Sequence, residues 1–364
     1  MDHRTLKSDY MDFAKFKTGA LYNLASSGVM DCVFDELGAG PEDLALHGPN
    51  AGGFAPLTSL VAERFRVSPD EVVMPGGGCS FANHLALAAL VAPGDEVLLE
   101  MPTYELLETT LGYLGARLIR FERRPETGFA VDPEGVRAAI TPRTRLVAMT
   151  NLHNPSGAAV PDAVVHDIAD RAMAQGALVL VDEVYRELTF APDQAQTAFR
   201  AEGGVVVTSS LTKAYGLSGL RCGWILAPAT SAARMRRLND LFGVHPPHVS
   251  ETLALAAFRR LGALKARADA LVGENRAAFQ AVLGGHPRLE ARLFDHATTV
   301  FARPIGLDAE QLTERLLQAF DTGVGPGRFF GDRERIRLGL GGSSAPTREG
   351  LQRLARALEG ANGP

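Results

Sequence analysis

Lys213 stands in a stretch of chain that otherwise uses arginine for every positive charge. The sequence holds five lysines, Lys7, Lys15, Lys17, Lys213 and Lys265, so between Lys17 and Lys265 a single one remains. It follows the apolar run Val205-Val206-Val207 and precedes the turn-forming Gly216-Leu217-Ser218-Gly219. Arginine serves as well as lysine for a solvated cation. It cannot replace an amine that must shed its proton and attack a carbonyl. The isolated lysine therefore points to Schiff-base chemistry, and the rest of the sequence must bring the aldehyde.

Such an amine needs a scaffold. From about residue 70 to 225 short apolar runs alternate with helical stretches. Glu71–Met74, Glu96–Leu99, Leu118–Phe121, Leu146–Met149, Ala177–Val181 and Gly204–Val207 read as strands. Ser80–Ala92, Leu106–Leu114, Asp132–Ile140 and Asp162–Gln175 read as helices. Strands apolar on both faces, alternating with helices, predict an α/β fold with a mostly parallel sheet sandwiched by helices. Beyond residue 226 a long helical region, about 247 to 283 and punctuated at Gly262, leads to a small α+β part with strands near 298–302 and 335–340 and a closing helix over 347–358. We expect an N-terminal segment (1–40) packed on the small domain, a large domain (41–280) and a small C-terminal domain (281–364).

Composition narrows the function classes. With 364 residues, 46% hydrophobic and 22% charged, the chain reads as a two-domain globular enzyme. A net charge of −5 argues against nucleic acid or an anionic membrane as a partner. No apolar stretch is long enough to span a bilayer, and Met1-Asp2-His3-Arg4 lacks the apolar core of a signal peptide. Cys32, Cys79 and Cys222 are odd in number and fit a reducing cytoplasm. The His245-Pro246-Pro247-His248 loop has no evident third ligand, so no metal is expected.

Ligands of an open parallel sheet sit outside the carboxyl ends of its strands. Four clusters fall there: Gly76-Gly77-Gly78-Cys79-Ser80, Asn151-Leu152-His153-Asn154-Pro155-Ser156-Gly157, Asp182-Glu183-Val184-Tyr185, and Ser209-Ser210-Leu211-Thr212-Lys213. The chain thus delivers a phosphate-sized cup, an amide, a carboxylate, a phenol and an amine to one sheet edge. Each has a plain alternative when taken alone. Asp182 reads as a turn cap, Asn154 before Pro155 as a turn start, Tyr104 and Tyr185 as core aromatics, His153 as structural, Arg221 and Arg337 as salt-bridged arginines.

As a set, these motifs resemble the fold-type I, pyridoxal-phosphate-dependent class I/II aminotransferases. The resemblance rests on Asn-x-x-Asn-Pro-Ser-Gly at 151–157, Asp-Glu-x-Tyr at 182–185, the Ser-x-x-Lys run at 210–213 followed by Arg221, and Val324–Gly331 followed by Arg337. It spans roughly residues 45 to 340. It implies that Lys213 bonds to the cofactor aldehyde and later moves the proton at the substrate's α-carbon. It implies that Asp182 keeps the pyridine nitrogen protonated; a contact ion pair is worth about 4 kcal/mol at an effective dielectric near 20. Asn154 and Tyr185 would hold the ring oxygen, and Tyr104 would stack on the ring. Gly78, Cys79 and Ser80, with Ser210 and Arg221, would cup the phosphate. Arg337 would fork onto the substrate carboxylate. The family also implies a homodimer, an amino acid substrate and a 2-oxo acid.

Two segments depart from the family pattern. His47, in His47-Gly48-Pro49-Asn50-Ala51-Gly52, stands where many relatives have a tyrosine that reaches the partner subunit's phosphate. Leu24-Ala25-Ser26-Ser27-Gly28-Val29 stands where many have Leu-Gly-x-Gly, so Ser26 and Ser27 alter the floor of the substrate site. The Ser-Ser-Gly-Val segment is similar to a capreomycidine synthase-like branch. Three readings follow: an aminotransferase; a cyclase, eliminating enzyme or oxidase of an arginine-derived amino acid; and a non-enzymatic regulator. The regulator reading calls for a basic DNA-binding domain that this sequence does not display, which ranks it last.

Overall fold

The computed structural model describes residues 7–50, 53–360 and 363. A seven-stranded sheet forms its centre. From edge to edge its strands are Val72–Val73, Gly223–Leu226, Val205–Ser210, Leu178–Asp182, Thr144–Thr150, Glu96–Met101 and Arg117–Glu122. All pairings are parallel except those made by Gly223–Leu226, which runs antiparallel to both neighbours. The apolar runs end up covered on both faces. Val147, Met149, Val179, Val181, Val205 and Val207 enter one core, while Leu146, Ala148, Leu180 and Val206 enter the other. Burying each such side chain contributes about 1.5–3 kcal/mol. This is the α/β architecture that the uninterrupted β-branched runs require.

Register decides what the sheet presents at its carboxyl edge. Thr150 pairs with Asp182, and Asp182 with Thr208. Ser210 lies opposite Gly223. The polar clusters that follow these strands are therefore side by side.

A second, four-stranded antiparallel sheet combines Gly325–Pro326, Ile336–Gly339, Thr299–Pro304 and Leu289–Glu290. The helices Ala309–Phe320 and Ser344–Glu359 pack on it. Tyr22–Asn23 adds a short parallel pair to Thr322–Gly323, and Leu24 is buried in the same core. The N-terminal chain thus joins the C-terminal sheet before it reaches the cavity.

The helical region over 247–283 breaks at Arg260 rather than at Gly262. Helix His248–Arg259 ends there and Leu261–Leu283 begins. One glycine costs a helix only about 1 kcal/mol, and buried Leu261, Leu264 and Ala268 outweigh it. Helices Ala55–Phe65, Ala229–Asn239 and Ala309–Phe320 were not expected from the sequence.

Candidate active site

A cavity of about 390 Å³ opens at the carboxyl edge of the central sheet. Its lining comes from every cluster singled out in the sequence: Cys79 and Ser80, Tyr104, Asn154, Asp182 and Tyr185, Ser210 and Lys213, and Arg221. Ser26 and Ser27 line it as well.

The phosphate-sized cup begins with three glycines in the left-handed region, Gly76, Gly77 and Gly78, at φ 73°, 65° and 68°. They open the helix Gly78–Leu90. A Cβ on Gly78 would sit 2.8 Å from Arg221 Nη2, so glycine is needed both for the turn and for the close approach. Arg221 Nη2 donates to the Gly77 carbonyl at 2.6 Å. The helix N-terminus thus faces the cavity with an arginine folded over it.

Asp182 ends its strand almost fully buried. Its Oδ2 accepts from Asn83 Nδ2 at 2.7 Å, and its Oδ1 from the Val184 N–H at 3.0 Å and the Cys79 thiol at 3.3 Å. Burial pushes the carboxyl above its ordinary value, and these donors work against that rise. Burial, then the Asp182 charge, lifts the Cys79 thiol well above the usual range, so it acts as a donor and not as a thiolate.

Lys213 lies in the short helix Thr212–Tyr215 just after its strand. Burial is the main pull on its amine and lowers it below the ordinary lysine value; Tyr10 and Asp182 oppose, while Arg337 and Arg221 assist. Segment 26–29 runs alongside. The Val29 N–H donates to the Lys213 carbonyl at 2.9 Å, and a Cβ on Gly28 would reach Lys213 Cδ at 3.0 Å.

Tyr185 donates to Ser27 Oγ at 2.7 Å, and burial pushes its phenol up. Arg337, fully buried, donates from Nη1 to Asn154 Oδ1 at 2.9 Å, and from Nη2 to the Ala25 carbonyl at 2.8 Å and to Tyr10 Oη at 3.0 Å. Its guanidinium lies 4.7 Å from the Phe330 ring centre. The loop bearing Asn154 is fixed from below. Glu100 accepts from the Thr150 N–H and hydroxyl at 2.7 and 2.6 Å and pairs with buried Arg123 at 2.7 Å; Thr150 Oγ1 accepts the Asn154 N–H at 3.0 Å.

His153 has a structural place. Its Nε2 faces the Pro102 carbonyl at 2.8 Å, so it carries the proton, and Nδ1 accepts from Ser156 at 2.6 Å. Burial holds the ring well below its usual pKa and hence neutral. His47 is exposed and does not line the cavity of this chain.

Several cavity residues escaped the sequence reading, Asn83 and Tyr10 among them. Asn83 is a lone amide among apolar residues of its helix, one turn beyond Cys79, and that spacing was its signal. Tyr10 left no motif, because the segment 1–40 matched neither part of the fold.

Comparison with known proteins agrees with this geometry. The family model for aminotransferase class I and II matches residues 16–356. The chain is 32% identical to an arginine–pyruvate transaminase of Pseudomonas aeruginosa, over 85% of this chain and 81% of that protein. It is also 32% identical to the capreomycidine synthase of Streptomyces vinaceus, over 92% of this chain and 89% of that one. A crystal structure of a PLP-dependent aminotransferase from Streptococcus suis superposes with a TM-score of 0.87 at 25% identity, over 95% and 96% of the two chains. The chain belongs to the class I and II aminotransferases and is a pyridoxal-5′-phosphate-dependent enzyme.

Proposed function

We propose that this enzyme moves an amino group between an L-amino acid and a 2-oxo acid, with Lys213 as the residue that bonds to pyridoxal phosphate. One observation carries the reading. Lys213, Asp182, Asn154 and Tyr185 come from three separate strand ends and line one cavity, with buried Arg337 bonded to Asn154 behind it.

The residues fit the cofactor. The cavity offers a partner for each part of it: the Lys213 amine, the Asp182 carboxylate, the Asn154 amide, the Tyr185 phenol, and Ser80, Ser210 and Arg221 beside a helix N-terminus. When bound, the cofactor supplies an electron sink for negative charge at the substrate's α-carbon. Lys213 offers an amine that burial biases toward the neutral form, which can attack a carbonyl and later carry the proton. Asp182 supplies an anion for the ring nitrogen. Asn154 and Tyr185 would offer hydrogen bonds to the ring oxygen, and Tyr104 would pack against the ring. The backbone N–H groups of Cys79 and Ser80, with Ser210 and Arg221, would hold the phosphate, whereas the Gly78 N–H, expected from the sequence to join them, donates to the Arg221 carbonyl at 2.8 Å. Arg337 takes the α-carboxylate, and Ser26 and Ser27 touch the side chain.

The proposal includes a homodimer in which His47 reaches the partner subunit's phosphate, with His245–Ser250 as a second crossing segment. Exposed Leu44, Leu46, Leu241, Phe242 and Val244 flank these segments and support an interface there. Free Cys32, Cys79 and Cys222 support a cytoplasmic location, and no helix among the described residues is long and apolar enough to cross a membrane.

The similarity to capreomycidine synthase favours one second reading, a cyclase, eliminating enzyme or oxidase of an arginine-derived amino acid. Asp182 is the sole carboxylate lining the cavity among the described residues. A guanidinium side chain would therefore need its counter-charge from the partner subunit. The deciding experiment supplies ¹⁵N-labelled amino acids, arginine among them, with and without a 2-oxo acid. Transamination passes the label to a second amino acid and stops without the 2-oxo acid. Multiple turnovers of one amino acid alone would overturn it in favour of the second reading.

A further inference from the structure

We propose that Tyr10 is a substrate-binding residue: its hydroxyl gives up Nη2 of Arg337 to the incoming α-carboxylate and then donates to that carboxylate. The helix Asp9–Phe16 thereby becomes a wall of the amino-acid site. This rests on the assignment of Arg337 as the carboxylate anchor.

The helix is built to hold Tyr10 in place. Ser8 caps it, accepting the Met11 N–H at 3.0 Å. Glu105, from the next helix of the cavity wall, accepts the Ser8 hydroxyl and the Asp9 N–H, the latter at 3.0 Å. An acidic group at a helix N-terminus is the favourable polarity. Three rings box the phenol. Tyr104, Phe329 and Phe330 each lie 5.8 Å away, the first two edge-on. Met11, Phe13, Ala14 and Thr18 line the cavity beside it.

The hydrogen bonds of Arg337 say what the hydroxyl is for. Nη2 spends both its hydrogens, on Tyr10 Oη and on the Ala25 carbonyl, and Nη1 spends one on Asn154. A carboxylate forks onto two neighbouring guanidinium donors. The outer edge of the guanidinium is thus covered by two neutral acceptors, Asn154 Oδ1 and Tyr10 Oη. An anion is the stronger partner for that edge. A phenol both accepts and donates, so on losing Nη2 it can turn its proton to the arriving oxygen. Burial raises the phenol, and the Arg337 charge is the first influence that opposes the rise. That cation makes the phenol a better hydrogen-bond donor to an anion.

The test uses holoenzyme and a probe pair, 4-methylpentanoate and its carboxamide, with binding read by calorimetry and by the cofactor's visible absorption. Tyr10→Phe keeps the ring in its box. It should weaken the carboxylate about tenfold and leave the amide unchanged, while the thermal midpoint falls modestly because buried Arg337 Nη2 loses an acceptor. KM for the amino acid should rise by a similar factor, more than kcat falls. Wild-type carboxylate binding in Tyr10→Phe, with binding lost in Arg337→Gln, would overturn the proposal while the assignment of Arg337 stands. Tighter binding by Tyr10→Phe would show that the hydroxyl only competes for Arg337, and overturns it too. If neither variant moves carboxylate binding, both the proposal and the Arg337 assignment fall.

Discussion

Replacing Asn83 by alanine tests how the site keeps Asp182 charged. Asn83 is buried and stands between two partners. Thr208 donates to its Oδ1 at 2.5 Å, which fixes the amide so that Nδ2 points at Asp182 Oδ2, 2.7 Å away. Against burial, which pushes the Asp182 carboxyl up, this bond is the first of the opposing influences. A hydrogen bond to a charged group contributes about 1.5–3 kcal/mol. Taking 2 kcal/mol, the loss amounts to roughly thirtyfold in an equilibrium. The carboxylate keeps the Val184 N–H and the Cys79 thiol, so the fold should survive. We expect Asn83→Ala to bind pyridoxal phosphate about tenfold to thirtyfold more weakly and to lose a comparable factor in kcat/KM. Equilibrium titration of the apoenzyme, followed by visible absorbance, measures the first, and steady-state kinetics at saturating cofactor the second. Thr208→Val should show a weaker form of both effects, because it frees the amide to rotate. Wild-type cofactor affinity and turnover in Asn83→Ala would refute the idea that this amide sustains the Asp182 charge.

Three further outcomes are expected. Borohydride reduction of the holoenzyme and peptide mapping should place the cofactor on Lys213, and Lys213→Ala should be colourless; label on Lys265 would contradict the assignment. Light scattering should give the mass of a homodimer, and His47→Ala should weaken cofactor binding without dissociating it. Burial pushes the Glu183 carboxyl to about 7 despite Arg186 at 3.3 Å, so folded protein holds a proton there that unfolded chain releases near the ordinary value of 4.5. The associated stability, about 3 kcal/mol at most, is present at pH 4.5 and lost as pH rises through 7. The thermal midpoint of Glu183→Gln should therefore fall less between pH 5 and 7 than that of wild type.

The central sheet was legible because its signal is local. A run such as Val179-Leu180-Val181 fits a strand covered on both faces and little else, and the residue that ends each run lands at the carboxyl edge. Asp182, Asn154 and Lys213 could be placed from that rule, since parallel register brings strand ends together. Helix Ala229–Asn239 was missed for the opposite reason: it is largely polar, and tertiary packing decides it. Helix Ala309–Phe320 had a local signal that went unread, the cap Asp308 followed by Leu312, Leu316 and Phe320 at helical spacing. Tyr10 was unreadable because its neighbours in space, Arg337, Tyr104 and Phe330, are far from it in sequence. Glu105 shows the same limit. Nothing in its local sequence says that it receives the N-terminus of another helix.

The charges of the cavity explain why a chain so rich in arginine keeps a lysine there. The chain as a whole carries −5, yet Lys213, Arg221 and Arg337 converge around a single carboxylate, Asp182. Such a site attracts anions, and a phosphate with a carboxylate would balance it. Arg221 and Arg337 can serve that purpose permanently, because a guanidinium does not lose its proton in a protein. Their permanence is also what helps the third cation to change. Two fixed positive charges, added to burial, make the ammonium form of Lys213 costly and favour the free amine. A third arginine would feel the same repulsion and could not respond to it. On the proposed reading, the arginines assigned to the two anions therefore also prepare Lys213 to react.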